Sequence, residues 1–272
     1  NSFVCNAAWQ TGDFPDSYSV LSVVVAQEYG ARSQGGVTRA VHTSMTLSII
    51  GGVTVMLLGL FLSRPMLELM GTPEDILDLS SLYLRIYFIG MPANLVYNFG
   101  AAILRAVGDS RRPMIFLSVS GCVNVVLNII FVACLNMSVT GVAWATVISQ
   151  YLSALLVVGF MIRSESAVRL SLRHLRIHKE AFVRIVRIGV PAGLQGMLFS
   201  LSNVLVQSAV NSFGSTMVAA ATAASNIQGL TDTANNALYN SAISFTGQNV
   251  GAQRFDRVKG IARACSVLVM AC

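Results

Sequence analysis

Charge is what this sequence has least of. Only 11% of its 272 residues are Asp, Glu, Lys or Arg, less than half of the roughly 25% of an ordinary soluble domain. A soluble globule of this length needs far more polar surface, so the composition speaks against one. Histidine is scarce as well. His42, His174 and His178 lie near loops and read as interfacial residues, not ligands. The five cysteines (Cys5, Cys122, Cys134, Cys265, Cys272) sit mostly inside apolar runs, with neither a metal-binding spacing nor a disulfide framework. They read as small packing residues. No nucleophile–base set, phosphate loop or metal cluster is visible, so no enzyme and no cofactor is expected. Neither a start methionine nor a secretory signal opens the chain.

What is present is apolar length. Hydrophobic residues make up 54%, and mean hydropathy is +0.66. A bilayer core requires about 20 such residues per helix. Five stretches meet that length: 41–62, 86–104, 113–135, 141–162 and 188–210. They carry no Asp, Glu, Lys or Arg except at their ends. A sixth, 217–246, is long enough but more polar. Two partial spans flank these, 18–26 and 264–272, so the chain is expected to be cut at both ends.

A net charge of +6 and a pI near 9.3 would suit a nucleic-acid partner, but the position of the charges says otherwise. Of eighteen Lys and Arg, sixteen fall in four segments. These are Arg32 and Arg39; Arg105, Arg111 and Arg112; seven residues from Arg163 to Arg187; and Arg254, Arg257, Lys259 and Arg263. The segments are alternate loops. Those between are acidic (Glu68, Glu74, Asp75, Asp78) or neutral (136–140, 211–216). Positive residues stay on the cytoplasmic side, which places all four basic loops inside a cell (inner) membrane crossed many times. The lipid bilayer is thus the expected partner, with no nucleic acid. Segment 163–187 reads as a cytoplasmic linker able to touch anionic lipid.

The chain also repeats itself. Gln27-Glu-Tyr-Gly30-Ala31 with Val37 recurs as Gln248-Asn-Val-Gly251-Ala252 with Val258, at a constant offset of 221 residues. Each copy follows an apolar helix and opens a basic loop. Six spans separate the copies, so both face the same side, as in a parallel repeat about an axis along the membrane normal. The expected fold is an all-α membrane protein, a two-lobed transmembrane helix bundle with a parallel repeat. Residues 1–163 form the N-terminal lobe, 164–187 the linker and 188–272 the start of the C-terminal lobe.

Several stretches are distinctive in combination. They are 25–31 (VAQEYGA), Gly90-Met-Pro92 followed by 103–113 (ILRAVGDSRRP), 124–128 (NVVLN), 141–150 (GVAWATVISQ), Gly189-Val-Pro191 and 247–252 (GQNVGA). Together they resemble the multidrug and toxic compound extrusion (MATE) family, from about Ser22 to the C-terminus. The resemblance implies a bilobed fold of twelve helices, of which the chain holds helices two to eight and part of nine. It further implies an antiporter, expected to be a monomer, that expels drugs or organic cations against sodium ions or protons, rocking between inward-open and outward-open states. A lipid-linked-oligosaccharide flippase of related fold and a non-transport membrane subunit are the alternatives. A flippase would be expected to place Lys or Arg in its cavity, and none lies deep in the apolar stretches. Residues 1–17 fit poorly, because Asp13, Pro15 and Asp16 stand where the second helix should be apolar.

Polar residues in hydrocarbon mark pathways or packing contacts. Asn124 and Asn128, four apart, share a helix face. Thr146 lies in the next helix, and Tyr83 and Asn98 in the one before. The resemblance implies a cation site from these five, and oxygen ligands suit a hard ion such as sodium. The family pattern usually has Asp where this chain has Asn128, and another Asp in helix one. Interhelical hydrogen bonding is the plainer reading. Further along, Ser225, Gln228, Asp232, Asn235 and Tyr239 are spaced 3, 4, 3 and 4, one stripe of a helix. Asp232 is the acidic residue deepest in any span and is expected to face a cavity, to pair with a cationic drug or carry the coupling proton. Gly196, Ser200, Asn203 and Gln207 form a second stripe. Some branches of the family have a Glu near Phe199 or Ser200, which is missing here. The expected substrate cavity is Gln195, Ser200, Asn203, Gln228, Asp232, Asn235 and Tyr239. Pro92 and Pro191 each remove a backbone hydrogen bond and are expected as hinges, or as fixed kinks.

Overall fold

The structure is a computed structural model. It describes residues 15–69, 74–135, 137, 139–164, 168–171, 175–212 and 215–271; for some of these, including 15–21, 204, 207, 208, 211–220 and 230–234, only the backbone is described. Among the described residues there are nine α-helices, one π-helical turn and no strand. Their order is α1 (Pro15–Gly30), α2 (Gln34–Leu69), α3 (Glu74–Ile89), α4 (Met91–Ala106), α5 (Arg111–Ile129) with its π turn (Ile130–Cys134), α6 (Val139–Arg163), α7 (Lys179–Ser212), α8 (Ser215–Gly251) and α9 (Phe255–Ala271). The helix expected to be apolar near its start begins at Pro15. Proline suits a first helical position, where its missing N–H has no partner to lose. Among the described residues, four helices are long and apolar enough to cross a membrane (Gln34–Glu68, Arg111–Cys134, Val139–Arg163, Lys179–Asn203). A bent pair adds a fifth span.

That pair corrects one expectation. The stretch 86–104 is not a single helix. α3 ends at Ile89, α4 starts at Met91, and the two are bent by 41° at Gly90. Pro92 explains the break: it has no N–H for the Phe88 carbonyl, and its ring disfavours helical backbone just before it. α2 is shaped to receive the bend. A Cβ on Gly52 would come within 2.6 Å of the Pro92 Cα, and one on Gly59 would collide with the Phe88 ring. Ser48 and Ser63, one turn beyond each glycine, are buried too. Small residues along one stripe let helix backbones approach closely in a membrane.

The chain divides into two compact units, one holding α2–α6 and the other α1 with α7–α9. In the α2–α6 unit the basic segments gather at one end. The Arg112 guanidinium lies 4.3 Å from the centre of the Phe160 ring and pairs with Asp109 at 2.8 Å. Leu170 N–H donates to the Met161 carbonyl (3.0 Å). Ser171 N–H donates to His42 Nε2 (3.1 Å), and His178 N–H to the Thr43 hydroxyl (3.1 Å). Val168 and Leu170 of this connection are buried. At the other end Arg64 reaches Glu68 (3.0 Å) and Asp78 (3.2 Å). α5 ends in the wider turn, with Leu135 N–H on the Ile130 carbonyl. The turn sets Phe131 and Met137 against Gly141 at the start of α6, where a Cβ would meet both at about 3.0 Å or less.

In the other unit the two copies of the repeat meet. A Cβ on Gly30 would strike the Gln248 carbonyl, and one on Gly251 the Gln27 carbonyl. Gly247 lies against Ala26. Each glycine lies on the glutamine of the other copy, and Gly247 on its own counterpart Ala26, so the contacts are reciprocal, as about a two-fold axis. The backbone repeats too. Arg32 and Gln253, 221 apart, both have positive φ, at 55° and 58°. Ser33 N–H closes on the Glu28 carbonyl (3.1 Å), as Arg254 N–H closes on that of Asn249 (2.9 Å). This is the left-handed helix cap that glycine usually occupies. Arg184 of α7 pairs with Glu28 of α1.

Two predictions follow from this packing. Gly52→Ala is expected to destabilise by about 1–3 kcal/mol through overpacking against backbone. Gly51→Ala, whose Cβ would find only a Leu95 methyl at 3.9 Å, is expected to change little. Thermal unfolding in detergent compares them, and equal midpoints would contradict the α2 groove. Gln253→Gly, in the same assay, is expected to stabilise by up to about 1 kcal/mol by relieving its left-handed conformation.

Candidate functional site

Residues on α5 and α6 form a polar relay inside two apolar spans. Asn128 Nδ2 donates to Asn124 Oδ1 at 3.0 Å. Asn124 Nδ2 donates to Ser149 Oγ at 3.2 Å, and the Ser149 hydroxyl donates to the Thr146 carbonyl at 2.8 Å. The relay runs one way and leaves an acceptor open at its head: Asn128 Oδ1 is buried and has no hydrogen-bond partner. A buried carbonyl-type oxygen without a donor is costly, and a cation, a water or an ammonium group would satisfy it. The helical pitch produces this row. Asn124 and Asn128 are one turn apart on α5, and Thr146 and Ser149 one turn apart on α6.

Of the five residues expected to hold a cation, Asn124 and Asn128 are joined directly. Thr146 joins through its backbone, while its hydroxyl donates to the Val142 carbonyl (2.9 Å). Tyr83 on α3 packs against Ile86, Ala143 and Val147, and its ring lies 6.4 Å from that of Tyr87. The hydrogen bonds described for Asn98 stay on α4, to the carbonyl and side-chain oxygen of Asn94 (2.9 and 2.7 Å). Ser149, which holds the relay to α6, was not singled out from the sequence, nor was Gln150. Their signal was present in the polar residues Thr146, Ser149, Gln150 and Ser153, which recur along one side of an apolar helix.

The residues expected to line a substrate cavity lie on α7 and α8. Gln195 lines a cavity of about 460 Å³ with Gly196, Leu198, Phe199 and Ser202. Ser200 and Asn203 are exposed on the same helix, and Gln228 and Tyr239 on α8. Asn235 is half-buried, and its Oδ1 is buried without a hydrogen-bond partner. The side chain of Asp232, like that of Gln207, lies outside the described residues. α7 runs through Pro191, whereas Pro92 stands at the start of α4, just after the break.

Known proteins resemble this arrangement over nearly all its length. The chain is 31% identical to the probable multidrug resistance protein YoeA of Bacillus subtilis (strain 168) over 252 residues, 89% of this chain and 54% of that protein. It is 32% identical to the probable multidrug resistance protein YpnP of the same organism over 200 residues, 74% of this chain and 44% of that protein. The chain thus spans about half the length of these curated relatives. Among solved structures, a multidrug resistance MATE family transporter in an outward-facing conformation superposes with a TM-score of 0.86 at 24% identity, covering 97% of this chain and 59% of that one. A MATE protein in the bent conformation superposes with a TM-score of 0.82 at 25% identity, covering 92% and 56%. These likenesses show the fold. The sequence profile of the MatE family matches residues 18–130 and 191–272, well over half of the chain. A helical membrane bundle with this profile match belongs to the MatE family, the multidrug and toxic compound extrusion transporters.

Proposed function

We propose that this chain is part of a cation-coupled antiporter that exports drugs or organic cations through the cell membrane. One observation carries the coupling: the relay from Asn128 through Asn124 to Ser149 lies within two spans and ends in a buried, open amide oxygen. Amide and hydroxyl oxygens bind a hard cation through their dipoles. They do not take up a proton near neutral pH, so sodium is the coupling ion we assign to this relay. The basic segments face the cytosol in this reading. Residues 1–163 belong to one lobe and 188–272 to the other, with 164–187 as the connection between them, and the protein works as a monomer.

Gln195, Ser200, Asn203, Gln228, Asp232, Asn235 and Tyr239 are assigned to the substrate path. Its mixed polar and aromatic lining suits bulky organic cations, which gain from ring faces as well as from charge. The names of the relatives, multidrug resistance proteins, support drugs as the cargo class. The crossing of α1 and α8, where the repeats touch, is assigned as a contact that opens and closes during transport. Pro92 and Pro191 are assigned as hinges for the rocking between inward-open and outward-open states.

The test is drug efflux from proteoliposomes of the full-length protein under a sodium gradient. Asn124→Ala removes one ligand oxygen and strands Asn128. Losing one ligand dipole weakens sodium binding, and each loss of about 1.4 kcal/mol is a factor of ten, so the sodium concentration for half-maximal export is expected to rise about tenfold. Export that ignores sodium, or that keeps its sodium dependence in both Asn124→Ala and Asn128→Ala, would overturn this reading.

A further inference from the structure

We infer that Gln150 and Tyr151 are positioning residues that couple the Asn124–Asn128 relay to the bend between α3 and α4. The inference rests on the reading of the relay as an ion site.

The break at Gly90 frees backbone groups inside a span, where water does not reach to satisfy them. Two neighbouring residues of α6 attend to it. The Tyr151 hydroxyl donates to the Ile89 carbonyl, the last of α3, at 3.1 Å. The Gln150 side-chain amide rests on Gly90 itself: a Cβ there would collide with Gln150 Oε1 and lie 3.3 Å from its Cδ. Gln150 Oε1 is buried and has no hydrogen-bond partner. Gly90 is buried as well. A side chain at the bend would therefore have to displace the Gln150 amide, since the φ of −76° is itself open to any residue. On the other side α2 holds the flanks, with Gly52 against Pro92 and Gly59 against Phe88. The bend is gripped by α2 on both shoulders and by α6 at its centre.

The same turn of α6 holds the relay. Ser149, which accepts from Asn124, immediately precedes Gln150. Any shift of Ser149 as an ion draws in Asn124 and Asn128 is passed along one rigid turn to the amide on Gly90 and the hydroxyl on Ile89. The unpartnered Gln150 oxygen makes the gripped state poised. A change of bend presents other backbone groups of the break to it, including the Met91 and Ala93 N–H groups of the first turn of α4, which have no carbonyl one turn earlier in that helix. Two sites that bias one two-state element are thermodynamically coupled.

The test uses the full-length protein with spin labels at Leu79→Cys and Ser110→Cys, either side of the bend, in a cysteine-free background. The distance between them is measured by pulsed electron resonance in sodium and in choline, and sodium binding is measured separately by calorimetry. Sodium is expected to shift the distance distribution. Tyr151→Phe and Gln150→Met, which keep the bulk and lose the polar groups, are expected to bind sodium within about threefold of the parent and to lose at least half of the shift. Gly90→Ala should displace Gln150 and behave like Gln150→Met, and combining the two should add little. Sodium binding without a shift in the parent, or a full shift in both Tyr151→Phe and Gln150→Met, would overturn the coupling alone. No sodium binding by the parent would overturn the ion-site reading and the coupling with it.

Discussion

Lipid offers no hydrogen bonds, and that constraint governs this protein. Every backbone group within a span must find its partner in the chain, so the described elements are helices. Any departure from a regular helix needs a neighbour to attend to it. The break at Gly90 has Tyr151 on the Ile89 carbonyl, and the wider turn at the end of α5 is closed by Leu135 N–H. Side-chain amides follow the same rule: Asn98 turns to Asn94, and Asn128 to Asn124. Against this satisfied background the few open oxygens stand out. Asn128 Oδ1, Gln150 Oε1 and Asn235 Oδ1 are the side-chain amide oxygens among them, buried and unpartnered like the Ser44 and Ser63 hydroxyls of α2, and all three lie on helices that carry residues assigned to transport.

Close approach of backbones is the second consequence. Apolar side chains gain nothing by leaving lipid for a neighbouring helix, so association depends on contact at small residues. Gly52 and Gly59 admit the bent span, and Gly30 and Gly251 admit each other's partner helix. The second pair brings the two copies of the repeat together. Two copies of one motif meet face to face, each with its glycine on the other's glutamine carbonyl. Such a contact is nearly symmetric, and it lies where both helices turn into basic segments.

Much of this was legible in the residues. Long apolar runs gave α2, α5, α6 and α7, because a span must be about 20 residues long whatever its neighbours are. Alternation of basic and acidic loops set the expected sides of the membrane, and the structure gives local pairings at those loops, Arg112 with Phe160 and Arg64 with Asp78. Pro92 marked a weak point, but a proline in a membrane helix leaves open whether the span kinks or breaks; the room offered by Gly52 and Gly59 on another helix decided it. The repeat at Gln27 and Gln248 was visible as letters. Their mutual contact was not, because it depends on packing between helices more than two hundred residues apart. Ser149 escaped notice because a serine in an apolar helix most often bonds its own backbone, and here it does that and accepts from Asn124 as well. The side chain of Asp232 stays an expectation from its stripe on α8.

The central claim is that α2–α6 cross a bilayer with their basic connections on a single side. Single cysteines at Ser110, Ser164 and Val139, in a background without native cysteine, test it with a membrane-impermeant thiol reagent applied to intact cells and to inverted vesicles. The account predicts that Ser110→Cys and Ser164→Cys react only in inverted vesicles and Val139→Cys only in intact cells. Labelling of Ser110→Cys and Ser164→Cys from opposite sides would contradict it.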